Sequence, residues 1–176
     1  MLEFPFPLHP IFVHFTVALS FTAFGAYVIA YILPEGNLKR DLSISAVWML
    51  FFCLLASVLT LIFGFLQFNS VKHDMLVHMP MTDHRNWALG TALVLFLCTI
   101  FALRGYIQNK IHSATLTIGF LVLIGMVGTT AYKGGELVYH YGLAVKSTPE
   151  LRELKQKDQK EQQQENIFQP NVDISK

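Results

Sequence analysis

Four long stretches of the chain are continuously apolar and almost free of charge. They run from Ile11 to Leu33, from Ser43 to Phe68, from Trp87 to Leu103 and from Ile111 to Tyr132. Each is close to the ~17–25 residues that a helix needs to cross a bilayer. The strands of a membrane β-barrel would alternate apolar and polar residues, and these stretches do not. The pattern therefore predicts an all-α protein, a bundle of four transmembrane helices that run alternately up and down.

Short polar connections divide the chain between two faces of the membrane. Pro34–Leu42 joins the first span to the second, and Arg104–Lys110 joins the third to the fourth. We call the face that carries these two loops side B. The opposite face, side A, carries the N-terminus, a predicted loop at Gln67–Asp83 and everything after the fourth span.

The polar C-terminal segment differs from the rest of the chain. Its stretch ELRELKQKDQKEQQQ contains only two leucines and has no core of its own, which is typical of a solvated helix or of disorder. The sequence therefore predicts two regions: a four-helix membrane bundle at residues 1–146 and a helical or disordered tail at residues 147–176.

Composition narrows the range of partners. Charged residues make up 14% of the chain, against roughly 25% in soluble domains, and the net charge of +1 gives no reason to expect nucleic acid. Membrane lipid is the partner that the composition predicts. No serine, histidine and aspartate stand in a recognisable nucleophile motif, so the sequence indicates no class of hydrolase. It also leaves the oligomeric state open.

The histidines are concentrated on one face. An ionisable side chain at membrane depth is by default a candidate for a functional site. Six of the seven lie on side A, and these are His9, His14, His73, His78, His84 and His140, whereas His112 lies on side B. The distribution predicts a site at side A.

Two of these histidines are placed to face the interior of the bundle. His14 and His84 each lie about one turn inside a span, above a row of small residues that lets helices approach closely. They are candidate ligands for a cofactor between the first and third spans. The alternative is that each histidine only forms an interhelical hydrogen bond. His9 lies about 140° around the helix from His14, so the two are not expected to hold one ion.

Residues 72–84, KHDMLVHMPMTDH, combine imidazoles with thioethers. Cu(I) and Cu(II) accept such ligands, so His73 and His78 are candidate metal ligands. The segment lacks a strict spacing such as HExxH, and its methionines could equally serve as apolar packing. Copper is therefore an alternative cofactor here.

Two motifs carry a family resemblance. HPIFVHFTVAL at residues 9–19 resembles an HPxxVHFPIAL opening, and GGELVYHYGLAV at 134–145 resembles a closing GGxLVYxxGxxV. Both belong to an uncharacterised bacterial membrane-protein family, domain-of-unknown-function family 2231. Gly64 and His84 are similar to a glycine that ends the second span and a histidine that opens the third. The family's architecture is similar to that of small di-haem membrane cytochromes, and this similarity implies haem b.

The resemblance and the histidines together suggest a membrane b-type cytochrome module. One haem would lie between the first and third spans with His14 and His84 as axial ligands, and a second haem would have to use His9, His78 or His140. The module would transfer electrons between a quinol or redox protein and an acceptor at side A. The alternatives are a copper or other transition-metal binding or transport protein, and a membrane anchor without a cofactor.

Charge in the short loops predicts the orientation. Lys39, Arg40, Arg104 and Lys110 lie in side B loops, whereas the side A loop carries Lys72 alone. The positive-inside rule then places side B in the cytoplasm. In the bacterial inner membrane that the resemblance implies, the histidine-rich face would be periplasmic.

Overall fold

The computed structural model describes residues 8–70 and 75–143, together with Lys157. The described chain forms four helices, and each is long and apolar enough to cross a membrane. They are α1 (Leu8–Ile32), α2 (Asn37–Ser70), α3 (Met75–Ile107) and α4 (Ala114–Tyr139). The predicted all-α bundle of four transmembrane helices is confirmed.

The predicted side A loop at Gln67–Asp83 is wrong in extent. Helix α2 continues to Ser70 and α3 already begins at Met75, so most of this segment is helical. No glycine interrupts it, and Pro80 lies in the second turn of α3, near the helix start. The two helices of 34 and 33 residues are thus longer than the ~20 needed to span a bilayer.

The loop on side B between α3 and α4 is a tight turn. Asn109 adopts a positive φ of 54°, and a Cβ atom at Gly105 would lie 2.8 Å from the carbonyl oxygen of Lys110, so the chain folds back closely on itself. Helix α4 then begins with Ser113 as its N-cap, where the Ser113 hydroxyl accepts a hydrogen bond from the Leu116 amide at 3.2 Å.

The helices pack in chain order around the bundle. α1 contacts α2 most extensively, α2 contacts α3, and α3 contacts α4, while the contact between α4 and α1 is the smallest. Among the described residues, the backbones of the diagonal pairs, α1 with α3 and α2 with α4, do not approach each other closely. Any group bound between α1 and α3 would therefore lie across the centre of the bundle.

The core combines small and large residues from all four helices. Ala23, Ala46 and Cys53 let the backbones approach, which suits association in lipid. The largest fully buried side chains fill the space between them, and they are Tyr27, Phe120, Leu50, Leu95, Leu116 and Leu123. Many other large apolar side chains are exposed, as expected for a surface that faces acyl chains.

The side B end of the bundle is closed by His112. Its Nε2 lies 2.8 Å from the Ser43 hydroxyl, and its ring centroid lies 5.0 Å from that of Tyr27 and 5.7 Å from that of Tyr31. The Tyr27 hydroxyl bonds in turn to the Thr117 hydroxyl at 2.8 Å. Burial lowers the pKa of His112 below its ordinary value. We call His112 and these four partners the side B cluster.

By internal contacts the chain divides after Gly142, into residues 1–142 and 143–176. The predicted boundary after residue 146 and nearly all of the predicted tail lie outside the described residues, so both stay predictions.

Candidate functional site

A cavity of about 390 Å³ lies at the side A end of the bundle. Its volume is within the range of roughly 300–1,000 Å³ that is usual for small-molecule and cofactor sites. All four helices line it, with most of the lining from α1 and α4, whose mutual contact is the smallest. The three histidines in the lining are His9, His14 and His84.

His9 is anchored to α2. Its Nδ1–H donates to the carbonyl oxygen of Thr60 at 3.0 Å, and its ring lies against Gly64, where a Cβ atom would be only 3.0 Å from Cε1. A neutral imidazole that donates from Nδ1 carries its lone pair on Nε2. This is the arrangement of a metal-binding histidine, in which a backbone carbonyl fixes the tautomer and the ring orientation.

His84 occupies the corresponding position between α3 and α4. Its ring lies against Gly134, where a Cβ atom would be 3.1 Å from Cε1, and it lies beside the Thr130 carbonyl. The Nδ1 atom is buried but does not complete a hydrogen bond. His84 and His9 line the same cavity.

Paired threonine hydroxyls lie next to each imidazole. Thr16 of α1 and Thr60 of α2 are 3.0 Å apart through their hydroxyl oxygens, and Thr91 of α3 and Thr130 of α4 are 2.8 Å apart. All four line the cavity together with Ser57. The lining is therefore polar but uncharged near the hydroxyls, and valines, alanines and a leucine make up much of the remainder.

An ion pair links α3 to α4 at the same end of the bundle. The Lys133 ammonium donates to the Asp83 carboxylate at 2.5 Å, and it lies 6.0 Å from the centre of the Trp87 ring. Asp83 and Lys133 directly precede His84 and Gly134 in the chain. The surroundings of His84 therefore carry charge.

The structure places His14 differently from His84. His14 contributes to the cavity lining but is exposed, and its Nδ1–H donates to the Pro10 carbonyl of its own helix. The half-buried imidazoles that extend from diagonal helices towards one cavity are those of His9 and His84. The predicted pair His14 and His84 is therefore not the pair that the packing favours.

The other predicted site residues lie elsewhere. His78 is exposed on α3 with its ring centroid 6.1 Å from that of Phe68, and His140 is the exposed C-cap of α4 with its ring edge-on to Tyr141. Neither is part of the cavity lining. His73 lies outside the described residues.

The methionines of the same segment do not share one environment. Met79 is 74% exposed and Met81 is 5% exposed, while the side chain of Met75 lies outside the described part. In the described part of the chain, no three His, Cys, Asp or Glu side chains are grouped to hold a metal ion. Copper stays a prediction.

The sequence reasoning missed the contacts that hold the imidazoles. It used Gly64 for a family resemblance, and it predicted no contact of Gly64, Thr60 or Thr130 with an imidazole. A usable signal was present, because a threonine precedes a glycine by four residues both at Thr60–Gly64 and at Thr130–Gly134. Four residues make about one helical turn, so each pair lies on one face of its helix.

Comparison with known proteins identifies the family. No curated protein and no solved structure matches the chain. A family profile matches residues 5–147, which is most of the chain and includes all four helices. The chain therefore belongs to the family described as "Predicted membrane protein (DUF2231)".

Proposed function

We propose that the chain is a membrane b-type cytochrome module, in which His9 and His84 would hold haem in the side A cavity. One observation carries the proposal: two imidazoles from diagonal helices line one cavity, and each is packed on a glycine of the neighbouring helix. Cofactor sites in helix bundles are commonly built from such inward side chains on facing helices.

The donor set fits haem iron better than it fits an isolated metal ion. Haem iron already has its four porphyrin nitrogens and takes its axial ligands from the protein, so two imidazoles are sufficient. Nδ1 of His84 is buried without a hydrogen-bond partner. A small rotation of the ring on binding iron through Nε2 would let Nδ1 form that bond. The glycines and alanines of the lining leave room for a flat group between the helices.

Each residue around the cavity would have a definite task. The Thr60 carbonyl orients the ring of His9 and raises the basicity of its Nε2 lone pair, which would make Nε2 a stronger ligand for iron. Aliphatic side chains such as Val13, Val17 and Val127 keep water away, which tunes the reduction potential. Bound haem would supply reversible one-electron transfer between ferrous and ferric iron.

The position of the site suggests the partners. The cavity lies at the side A end, so electrons would be exchanged with a quinol or a redox protein at that face. Lys39, Arg40, Arg104 and Lys110 in or near the side B loops support a cytoplasmic side B in the bacterial inner membrane. Side A and its electron-transfer partner would then be periplasmic.

The test is the absorption spectrum of purified protein, before and after reduction with dithionite. The wild type should show a Soret band and a sharp reduced α-band. His9→Ala and His84→Ala should each abolish these bands or give a five-coordinate spectrum, because each removes one axial ligand. His140→Ala is the control, since His140 is exposed and outside the cavity lining.

Two outcomes would contradict this proposal. Haem that keeps a six-coordinate spectrum in both His9→Ala and His84→Ala would reject these ligands. Protein that stays free of haem after reconstitution would reject the cytochrome function. Stoichiometric copper in that protein would support the metal-binding alternative instead.

A further inference from the structure

The two halves of the bundle repeat the same residues at constant spacing. From α1 to α3, the separation between His9 and His84 in the chain equals that between Thr16 and Thr91. From α2 to α4, the separation between Thr60 and Thr130 equals that between Gly64 and Gly134. The first separation is slightly longer than the second. The α1–α2 hairpin therefore aligns with the α3–α4 hairpin without a gap inside these helix segments, and the difference in length falls between them.

The contacts repeat in the same register. In each hairpin the histidine of the first helix lies on the glycine of the second, and the two threonines are in hydroxyl contact. A third pair also recurs: Phe12 stacks on Phe63, and at the equivalent positions Trp87 lies near the ammonium of Lys133. Three equivalent cross-helix contacts are difficult to explain by chance.

Buried positions follow the same alignment. It pairs Leu50 of α2 with Phe120 of α4 and Cys53 with Leu123, and all four are buried in the core. In the first helix of each hairpin, it pairs Ala23 with Cys98, which are likewise buried. The repeat therefore extends from the cavity through the core.

We infer that the bundle is two copies of one helical hairpin, and that Gly64 and Gly134 are equivalent positioning residues that set the planes of the His9 and His84 imidazoles. Parallel repeats of this kind are related by an axis along the membrane normal. The inference rests on the proposed function, because it assigns these glycines their role at the haem ligands.

The glycines act through the absence of a side chain. A Cβ atom at either position would lie 3.0–3.1 Å from Cε1 of the facing imidazole, so the ring would have to move by a few tenths of an ångström. At Gly64 that movement also strains the bond from Nδ1 of His9 to the Thr60 carbonyl. Gly25 and Gly128 provide matched controls, because a Cβ atom there meets no atom within 4 Å.

The experiment compares four glycine-to-alanine variants of the full chain. Gly64→Ala and Gly134→Ala should each lower haem affinity about tenfold, as is usual when a residue that orients a ligand is changed. Each should also shift the g-values of the ferric low-spin EPR signal, which report the imidazole planes. Gly25→Ala and Gly128→Ala should match the wild type in both measurements. Thermal unfolding of all four variants checks that the bundle is intact.

The results separate the inference from the proposed function. Haem-loaded Gly64→Ala and Gly134→Ala with wild-type g-values and affinity would overturn the positioning role, while the haem function would stand. An effect at one glycine only would overturn the equivalence of the halves. If the wild type binds no haem, the proposed function fails, and the histidine Cε1–H NMR signals decide whether position 64 still sets the His9 ring. Unchanged signals in Gly64→Ala would overturn that as well.

Discussion

Histidine is used differently at the two ends of the bundle. At the side B end, the ring of His112 packs between Tyr27 and Tyr31, and its Nε2 is bonded to the Ser43 hydroxyl. At the side A end, His9 and His84 lie on glycines beside a cavity. Aromatic neighbours hold an imidazole as part of the packing, whereas a glycine lets it approach the next helix while Nε2 stays available. The comparison indicates that the side B cluster serves helix packing and that side A carries the candidate site.

The largest expected effect comes from the core near side B. Phe120 is fully buried, with its ring centroid 4.7 Å from that of Tyr27, so Phe120→Ala leaves a cavity and should lower the free energy of unfolding by about 3–5 kcal/mol. Thermal unfolding in detergent measures the loss, and haem should remain bound below the new transition. Leu121→Ala is the control, because Leu121 is 59% exposed on the same helix. Equal losses in the two variants would contradict the core assignment.

A smaller loss should follow removal of one hydroxyl from the side B cluster. The Tyr27 hydroxyl bonds to the Thr117 hydroxyl at 2.8 Å, so Tyr27→Phe should cost about 1 kcal/mol of unfolding free energy. The haem spectrum should not change, since the change is at the end away from the cavity. Tyr132→Phe serves for comparison, because that side chain is 74% exposed and lies outside the cavity lining. A changed α-band in Tyr27→Phe would show that the two ends are coupled.

The threonine pairs of side A should contribute less still. Thr60→Val removes the hydroxyl contact with Thr16 but keeps the backbone carbonyl that binds His9. Interhelical hydrogen bonds in membranes average about 0.6 kcal/mol, so the expected loss in unfolding free energy is of that order. Haem affinity should stay within about twofold of the wild type, which a reconstitution titration measures. A tenfold loss would mean that the hydroxyl itself supports the ligand.

The smallest effect concerns pH. Burial, with the charge of Lys39 adding to it, lowers the pKa of His112 below its ordinary value of 6.5, so the unfolded chain takes up this proton first as the pH falls. Stability should therefore decline as the pH is lowered through about 6.5 and level off below the folded pKa. His112→Gln should remove that part of the slope between about pH 5 and 7. The measurement is the transition temperature at several pH values.

Glu35 provides the control for the pH experiment. A hydrogen bond from Lys39 lowers the pKa of Glu35 from its ordinary value of 4.5, so any stability it contributes is lost only at more acidic pH. Glu35→Gln should keep the slope between about pH 5 and 7 and slightly enlarge it, because the charge of Glu35 partly offsets the lowering of the His112 pKa. A slope that persists unchanged in His112→Gln would reject the role of His112 burial.

Hydrophobic patterning was sufficient to predict the four helices, because each apolar stretch has the length of a span and lies between charged or polar turns. It was not sufficient at Gln67–Asp83, where apolar and polar residues mix and the segment was predicted as a loop although α2 and α3 extend into it. A hydropathy pattern alone does not separate a polar loop from the polar ends of two long helices.

The candidate site was predictable only in part. Sequence position indicated side A and included His84, but a helical angle alone cannot tell which of His9 and His14 faces another helix. That choice depends on the Thr60 carbonyl and Gly64 of α2, which are distant from His9 in the chain. The internal repeat would have indicated it, because the position equivalent to His84 is His9, whereas the residue equivalent to His14 is Leu89.

The most direct test of the account is to count the histidine nitrogens that coordinate the iron. Pulsed EPR on the ferric protein, grown with ¹⁵N-histidine, detects each coordinated imidazole. We expect two coordinated imidazoles in the wild type and in His14→Ala, and no more than one in His9→Ala or His84→Ala. Two coordinated imidazoles in His9→Ala, with one in His14→Ala, would contradict the central claim that His9 and His84 hold the cofactor.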